Sequence, residues 1–323
     1  MILELSGIIL LCSNHQIQEV TGSTVSKFAC SDRIFGWRGY SIGYIAVNEH
    51  SLELPTLLLV HGFGASVGHW RKNIPVLAEA ARVFAIDLIG FGASDKPPDF
   101  PYTFENWGAL ICDFVREVIG GQAVLVGNSI GAIAVMQAAI LAPLVSHVIL
   151  INCSLRLLHE SKRAQLPWYR RWGSRFLQRV LGNRLIAQLF FSQVKQPQTV
   201  RRILQQAYAD HRAITDELVQ ILLKPAQDPH AVDVFMAFVR YSQGPTPEEL
   251  LESLPCPAII LWGDRDPWEP IALGRQLSQF PVVKAFIPVL GAGHCPQDEV
   301  PEVVNRLILD HLHIDFAVKV GLE

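Results

Sequence analysis

Charged residues are scarce in this chain of 323 residues: Asp, Glu, Lys and Arg make up 18%, whereas 50% of the residues are hydrophobic. Globular domains average about 25% charged residues. So apolar a chain can bury enough surface to offset the entropy of ordering, which excludes an intrinsically disordered protein. The formal net charge of −3 shows no basic surplus and excludes nucleic acid as an expected partner.

The longest stretch without Asp, Glu, Lys or Arg extends from Val118 to Leu155. It is longer than the roughly 20 residues that a membrane-spanning helix needs. However, Gly120, Gly127 and Pro143 divide it into pieces with the length of a buried strand or a core helix. We therefore expect a protein core here and not a membrane span.

Export and metal-binding signatures are also missing. The N-terminal stretch contains Glu4 and no Lys or Arg before Lys27, which fits neither a secretory signal nor a transit peptide. The six cysteines include no CxxC pair, so we expect free thiols in a reducing, cytoplasmic compartment and a protein that is not secreted. Because HExxH and GxxxxGK[ST] motifs are absent, we expect no metal and no cofactor.

Short runs rich in Val, Ile and Leu alternate with helical stretches along most of the chain. Such runs are typical of strands in a parallel sheet that is covered on both faces. They occupy residues 56–62, 82–88, 122–128, 147–153, 258–264 and about 282–288. The predicted helices include residues 70–81, 106–119, 130–142 and 302–313, and residues 33–48 suggest two antiparallel strands. This alternation predicts an α/β protein with a doubly wound, mostly parallel sheet.

The alternation stops in residues 154–254, which look helical and are interrupted by prolines. We predict that this cap segment is a helical cap (lid) inserted between two parts of the core, residues 33–153 and 255–323. Residues 1–32 would form an N-terminal tail. Between Leu155 and Arg212 there are 12 Lys or Arg and only two acidic residues, so the cap is expected to be basic.

One part of the cap segment, residues 167–185, has an amphipathic helical pattern. Its aromatic face comprises Tyr169, Trp172, Phe176 and Val180. Its basic face, on the opposite side, comprises Arg171, Arg175 and Arg179. This arrangement suits peripheral contact with an anionic membrane. It suits equally well a cap helix that packs its aromatic side chains on the core and exposes its basic face to solvent.

The pentapeptide GNSIG at residues 127–131 lies between a predicted strand and a predicted helix, which is the context of a nucleophile elbow. Gly127 and Gly131 leave room for a sharp turn from which Ser129 projects. The helix that follows aims its N-terminal amides at the reacting centre. This position favours Ser129 as a nucleophile over an ordinary turn that happens to contain glycine.

A serine nucleophile requires a histidine base and a carboxylate that orients the histidine. The stretch WGDRDPW follows a predicted strand and contains Asp264 and Asp266, and GAGH follows the last predicted strand and contains His294. The chain order Ser, Asp, His is the order expected in an α/β-hydrolase. On this pattern alone, either aspartate can be the orienting carboxylate.

An oxyanion hole requires two backbone N–H donors near the nucleophile. The loop HGFG at residues 61–64 directly follows a predicted strand, so the N–H of Phe63 can act together with the N–H of Ile130. A tight glycine turn with no catalytic role would explain HGFG equally well if the elbow were missing. With the elbow present, we predict that Phe63 and Ile130 form the hole.

From about Ile34 to Leu312 the chain resembles the α/β-hydrolase superfamily, whose landmarks match HGFG, DLIGFGASDKP, GNSIG, WGDRDPWEP and GAGHCPQDEVPEVVN. Longer stretches such as HGFGASVGHWRKNI and YSQGPTPEELL look like the pheophytinase and chlorophyll dephytylase group. The resemblance implies an α/β-hydrolase fold with Ser129 as nucleophile, His294 as base and Asp266 as the orienting carboxylate. Ala132 stands where the family often has a further glycine, which is a small-for-small change.

Enzymes of that group hydrolyse the ester that joins phytol to the chlorin ring in photosynthetic organisms. The resemblance therefore implies a serine esterase that removes the phytyl chain from chlorophyll or pheophytin, with an apolar pocket between cap and core. It also implies a cytoplasmic protein that can associate peripherally with the thylakoid membrane. Two alternatives stay open: a carbon–carbon bond hydrolase of ring-cleavage products, which also has Asn before the serine, and a general carboxylesterase.

Overall fold

The protein is described from a computed structural model, which covers Phe28 and residues 31–157, 159–164 and 184–312. Within these ranges, one sheet contains eight strands. The strands are β1 (Arg33–Trp37), β2 (Tyr40–Val47), β3 (Thr56–Val60), β4 (Arg82–Ile86), β5 (Ala123–Asn128), β6 (Val145–Ile151), β7 (Ala258–Gly263) and β8 (Val283–Val289).

The sheet is mostly parallel, and its strand order is β1-β2-β4-β3-β5-β6-β7-β8. Strands β3 to β8 pair in parallel, whereas β1 with β2 and β2 with β4 are antiparallel. Every residue of β3, β4, β5 and β7 is buried, because helices cover both faces of the sheet. The predicted doubly wound α/β-hydrolase fold is confirmed.

Twelve α-helices lie in the described ranges. They are α1 (Ile74–Leu77), α2 (Phe104–Phe114), α3 (Ile130–Leu141), α4 (Glu160–Ala164), α5 (Arg184–Val194), α6 (Pro197–Ala207), α7 (Asp216–Ala226), α8 (Ala231–Arg240), α9 (Pro247–Ser253), α10 (Ile271–Gly274), α11 (Pro296–Glu299) and α12 (Pro301–Asp310). A wider π-type turn, Val115–Ile119, extends α2, and 3₁₀ turns occupy Val67–Trp70, His211–Ala213 and Arg275–Gln279.

The helix predicted over residues 70–81 is much shorter in the structure. A 3₁₀ turn ends at Trp70, and the α-helical part spans only Ile74–Leu77. Pro75 explains the late start, because a proline has no N–H to donate and is tolerated only in the first turn of a helix. The apolar pattern thus placed buried residues correctly, but it overestimated the length of the helix.

The cap segment contributes α4 to α9, which follow β6 and precede β7. Local sequence signals start several of these helices: Pro197 lies at the first position of α6, and Thr246 and Glu249 form a capping box at α9. No helix within the described ranges is long and apolar enough to cross a membrane. The side chains predicted to form the basic aromatic face lie in residues 165–183, which are outside those ranges.

The turn between β5 and α3 allows no side chain at two of its positions. A Cβ atom at Gly127 would lie 2.4 Å from the carbonyl oxygen of Gly131, and one at Gly131 would lie 2.6 Å from the carbonyl oxygen of His61. Both obstacles are backbone atoms, which cannot move aside without displacing a strand or a helix. The two glycines that the elbow motif requires are therefore demanded by packing.

We expect Gly127→Ala to reduce the free energy of unfolding by more than about 3 kcal/mol, or to prevent folding, because the added methyl group meets buried backbone. Denaturant titration followed by circular dichroism measures this loss. Gly121→Ala is the matched control, since its Cβ meets no atom within 4 Å, and it should change stability by less than about 1 kcal/mol. Equal stability of the two variants would contradict the packing argument.

Candidate active site

The order of strands β3-β5-β6-β7-β8 brings five loops together at the carboxyl edge of the sheet. Each loop follows one of these strands, so residues distant in sequence become neighbours in space. In this order the loops carry Phe63, Ser129, Asn152, Asp266 and His294. Ligand sites of open α/β sheets lie at this edge, and the candidate site described below occupies it.

Ser129 sits at the sharp turn after β5 with φ +56° and ψ −117°. A positive φ is costly for a residue other than glycine, and such strain typically amounts to about 1–3 kcal/mol. Two backbone hydrogen bonds to the neighbouring β6 loop hold the turn: the Ser129 N–H donates to Ile151 (3.0 Å), and its carbonyl accepts from the Ser154 N–H (3.2 Å). The side chain is half-buried at the wall of a cavity.

His294 and Asp266 form a buried pair. The Nδ1 atom of His294 lies 2.7 Å from Oδ2 of Asp266. Because a carboxylate only accepts hydrogen bonds, Nδ1 carries the proton, and Nε2 is left with a lone pair. His294 and Ser129 line the same cavity, although no hydrogen bond joins them in the described structure. In unliganded enzymes, such nucleophile–base contacts often tighten only when substrate binds.

The Asp266 carboxylate is fully buried and accepts hydrogen bonds at both oxygens. Oδ2 accepts from Asn152 Nδ2 (2.7 Å) in addition to His294, and Oδ1 accepts from the N–H groups of Trp268 (2.8 Å) and Glu269 (3.0 Å). These donors compensate for the loss of water around the charge. The other sequence candidate, Asp264, accepts instead from the N–H of Gly291 (2.7 Å) and does not contact His294.

Asn152 is a site residue that the sequence did not reveal. It is completely buried with φ +42°, and its Nδ2 donates to Asp266 and to the carbonyl oxygen of Gly293 (3.2 Å). Its Oδ1 accepts from the N–H of Gly263 (2.9 Å). One amide side chain thus joins the Asp266 loop to the His294 loop. Its only sequence signal is an asparagine directly after a buried strand.

The two predicted oxyanion donors both belong to residues that line the cavity. In the described structure, neither the N–H of Phe63 nor that of Ile130 donates to a backbone or side-chain acceptor. Ile130 is the first residue of α3, so its N–H lies at the positive end of the helix dipole. Two unpaired amides beside a serine can bind an oxygen that becomes negative.

His61 holds the Phe63 loop in place. Its ring is completely buried, Nε2 accepts from the N–H of Leu88 (3.1 Å), and Nδ1 donates to the carbonyl oxygen of Gly62 (2.8 Å). These partners define a neutral ring. Burial lowers the pKa of His61, although Asp87 nearby opposes this effect. His61 is therefore a structural residue and not a second base.

A cavity of about 430 Å³ lies between the strand edge and the cap segment. Ser129, His294, Phe63 and Ile130 border it, and helices α5 to α8 supply most of the opposite wall. The apolar residues of that wall include Phe191, Val200, Leu204, Leu222, Phe235 and Phe238. Its size is in the range of small-molecule sites. The lining therefore suits an apolar ligand at the serine and histidine.

Buried polar groups fasten the cap segment to the His294 loop. The His294 N–H donates to the carbonyl oxygen of Ala207 (2.8 Å), the last residue of α6. Both Glu299 oxygens accept backbone hydrogen bonds, Oε1 from Gly293 (2.9 Å) and Oε2 from Ala209 (2.7 Å) and Asp210 (3.1 Å). The wall of the cavity and the candidate base are consequently parts of one hydrogen-bonded unit.

A second buried network lies at the cavity wall around Tyr208. The Tyr208 hydroxyl donates to Asp298 Oδ2 (3.0 Å), so it accepts from Nε2 of His69 (2.8 Å). Asp298 in turn pairs with Arg71 (2.9 Å). Burial lowers the pKa of His69 to about 4, which keeps its ring neutral at physiological pH. This network ties the cap to the core and leaves His294 as the only cavity histidine paired with a carboxylate in the described structure.

Glu269 is a second carboxyl group at the cavity, three residues after Asp266. Its Oε1 accepts a hydrogen bond from Ser154 Oγ (3.3 Å), whereas its buried Oε2 has no partner in the described structure. Burial raises the pKa of Glu269 to about 7, although His294 nearby opposes the shift. This carboxyl group can therefore carry a proton near neutral pH.

The fold, the elbow and the histidine–aspartate pair together define a hydrolase of the α/β-hydrolase class. Residues 57–307 match the model of the alpha/beta hydrolase family, and the chain belongs to that family. The resemblance to the superfamily is confirmed by these matches.

Among named relatives, the uncharacterized hydrolase YugF of Bacillus subtilis is 27% identical over 80% of this chain and 89% of its own length. The chloroplastic pheophytinase of Arabidopsis thaliana is also 27% identical over 80% of this chain, but the match spans only 61% of that protein. The 2-hydroxymuconate semialdehyde hydrolase of a Pseudomonas strain is 27% identical over 79% of this chain and 86% of its own length.

Solved structures support the same fold. A membrane phospholipase A matches with a TM-score of 0.69 at 22% identity, covering 96% of this chain and 92% of that one. A serine hydrolase of carbazole degradation matches with a TM-score of 0.69 at 20% identity, covering 87% and 97%. At these identities the likeness shows the fold alone.

We expect Glu269→Gln to stabilise the protein at pH 8 and to have little effect at pH 5. The folded-state pKa is raised above the ordinary value of 4.5, so ionisation opposes folding increasingly as the pH rises from about 4.5 to 7. The gain at pH 8 should be about 1–3 kcal/mol. Denaturant titrations of both proteins at the two pH values measure it, and a gain independent of pH would contradict the raised pKa.

Proposed function

We propose that this protein is a serine hydrolase of carboxylic esters, with Ser129 as nucleophile, His294 as base and Asp266 as the carboxylate that orients the histidine. The observation that carries the proposal is the 2.7 Å contact between His294 Nδ1 and Asp266 Oδ2. It leaves the lone pair of Nε2 free to take the proton of a serine hydroxyl. His294 borders the cavity beside the strained Ser129 turn, and Asp266 lies buried behind it.

In the first half of the reaction, Ser129 Oγ forms a bond with the ester carbonyl carbon while His294 Nε2 takes the hydroxyl proton. The carbonyl oxygen becomes negative and accepts hydrogen bonds from the N–H groups of Phe63 and Ile130. The imidazolium that forms is stabilised by the Asp266 carboxylate. The carbon–oxygen bond of the ester then breaks, and His294 returns the proton to the departing alcohol, leaving an acyl group on Ser129.

In the second half, water replaces the alcohol. His294 takes a proton from the water, whose oxygen forms a bond with the acyl carbon, and the same two amides stabilise the second oxyanion. The bond to Ser129 then breaks, and the proton on His294 returns to the serine oxygen. The products are the free alcohol and a carboxylic acid, so the reaction consumes one water and no cofactor.

We further propose a long, apolar ester as the substrate, with the phytyl ester of chlorophyll or pheophytin as the specific candidate. The cavity wall is mostly aliphatic and aromatic, which favours a hydrocarbon chain over a polar ligand. The pheophytinase relative and the shared motif stretches support the pigment assignment. The reaction would convert pheophytin and water to its dephytylated acid and phytol.

The principal alternative is carbon–carbon bond hydrolysis, as the name of the 2-hydroxymuconate semialdehyde hydrolase suggests for that relative. Substrates of that kind are small acids, which call for a cationic partner in the pocket. No arginine lines the described part of the cavity, and the one lysine there, Lys96, lies 3.8 Å from Asp228 and donates to the carbonyl oxygens of Gly92 and Ser94. These observations favour an uncharged ester.

We expect purified protein to release phytol from pheophytin a and chlorophyll a in mild detergent. Ser129→Ala should reduce the rate by at least about 10³-fold, because it removes the nucleophile while leaving the fold intact. Chromatography of the pigments measures both reactions, and their relative rates identify the preferred pigment.

Two other results would redirect the proposal. Hydrolysis of short 4-nitrophenyl esters without any action on the two pigments would refute the pigment assignment and leave a general carboxylesterase. Turnover of a ring-cleavage product without any ester hydrolysis would refute the esterase proposal itself.

Asp266→Asn should lower kcat by about 10³–10⁴-fold, since an amide in this position can donate to His294 Nδ1 and favours the wrong tautomer. Asp264→Asn is the matched control, because Asp264 accepts one backbone hydrogen bond outside the pair and asparagine can replace it. Its kcat should change by less than about threefold. Kinetics with a 4-nitrophenyl ester compare the two variants. A greater loss of kcat in Asp264→Asn than in Asp266→Asn would assign the orienting carboxylate to Asp264 instead.

A further inference from the structure

Glu269 is the one cavity carboxylate in the described structure for which the proposed mechanism has no use. Its backbone N–H belongs to the loop that supports Asp266, and its carbonyl accepts from Trp262 Nε1 (2.9 Å), so the position of the main chain is defined. The side chain turns toward the β6 loop, where Ser154 Oγ donates to Oε1 (3.3 Å). It therefore lies on the same cavity wall as His294.

No lysine or arginine in the described structure forms an ion pair with Glu269. None of the ion pairs there includes this carboxyl group, and its Oε2 is buried without a hydrogen-bond donor. Lys96, which also lines the cavity, is engaged by Asp228 and by two backbone carbonyls. A buried carboxylate with one oxygen that lacks a donor is unfavourable, and a second anion nearby makes it more so.

Several titratable groups face Glu269 from the elements around it. Asp266 on its own loop raises its pKa, His294 on the β8 loop lowers it, and burial is the largest effect. On the β6 side, the thiol of Cys153 is fully buried with its pKa raised, so it stays neutral.

We propose that Glu269 is a specificity-determining residue, which makes the site accept uncharged acyl groups and reject carboxylates. This inference rests on the proposed ester hydrolysis, in which a neutral ester enters and a carboxylate product must leave. An ionised Glu269 repels the carboxylate product across the low-dielectric cavity. The ester has no net charge, so Glu269 does not repel it. The same repulsion would exclude acidic substrates of the ring-cleavage type.

The test compares two ligands of equal chain length, octanoate and octanamide, bound to the full chain carrying Ser129→Ala so that neither is processed. Calorimetry gives Kd at pH 6 and pH 8. Between these values Glu269 changes from about one-tenth to about nine-tenths ionised if its pKa is about 7. Octanoate is charged throughout and octanamide is neutral, so only octanoate should respond to the charge on Glu269.

In the Ser129→Ala protein, we expect the Kd of octanoate to rise between pH 6 and pH 8. This rise should be about five times the change seen when Glu269→Gln is added. Effects of pH that do not involve Glu269 are common to both backgrounds, so they cancel in the comparison. Octanamide should show less than about a twofold difference between the backgrounds. Glu252→Gln, at an exposed position on α9, is the matched control. With this substitution the Kd of octanoate should respond to pH as it does in the protein that carries only Ser129→Ala. If Glu269→Gln does not fold, Glu269→Ala provides the same comparison.

An equal pH response of octanoate binding in both backgrounds would overturn the proposal for Glu269. The outcome is distinguishable from failure of the proposed function, which is judged by ester hydrolysis in the protein with an intact Ser129. Ester hydrolysis together with equal octanoate responses would refute only the role of Glu269. Absence of ester hydrolysis together with the fivefold difference would refute the esterase function and retain the rejection of carboxylates.

Discussion

The sharp turn at Ser129 is the constraint on which the rest of the site depends. It holds a serine at φ +56°, and backbone atoms of α3 and the β3 loop approach so closely that Gly127 and Gly131 cannot carry side chains. Buried parallel strands on both sides keep the turn in this strained form. The unpaired amides of Phe63 and Ile130, and the cavity between them and the cap, are positioned relative to this turn.

Two carboxyl groups only three residues apart illustrate how local hydrogen bonding decides charge. Asp266 accepts from His294, from Asn152 and from two backbone N–H groups, so its negative charge is well supported in the interior. Glu269 accepts fewer hydrogen bonds, from the Ser154 hydroxyl and from the backbone at Leu155, and its Oε2 has no donor. Burial therefore dominates at Glu269 and raises its pKa to about 7. One loop thus supplies a carboxylate held by four hydrogen bonds and a carboxyl group whose charge depends on pH.

The cap segment lines the cavity and is also hydrogen-bonded to the loop that carries His294. Its helices form the apolar wall, and its link after α6 is hydrogen-bonded to His294 and to Glu299. Any movement that opens the wall widely must break these bonds or carry the His294 loop along. The position of the cavity wall and the position of His294 are consequently coupled through short contacts near Ala207.

The sequence by itself determined the class of fold and the motifs from which the candidate serine, histidine and aspartates follow. Buried strands and tight glycine turns leave strong local patterns, because each depends on residues adjacent in the chain. The motif pattern alone left Asp264 and Asp266 open, and only the resemblance to the superfamily favoured Asp266. The tertiary structure showed that Asp266 contacts His294, that Asn152 joins two loops, and that Oε2 of Glu269 is buried without a donor. These contacts join residues from neighbouring strands of the sheet, and the strand order that creates them is not written in any local pattern.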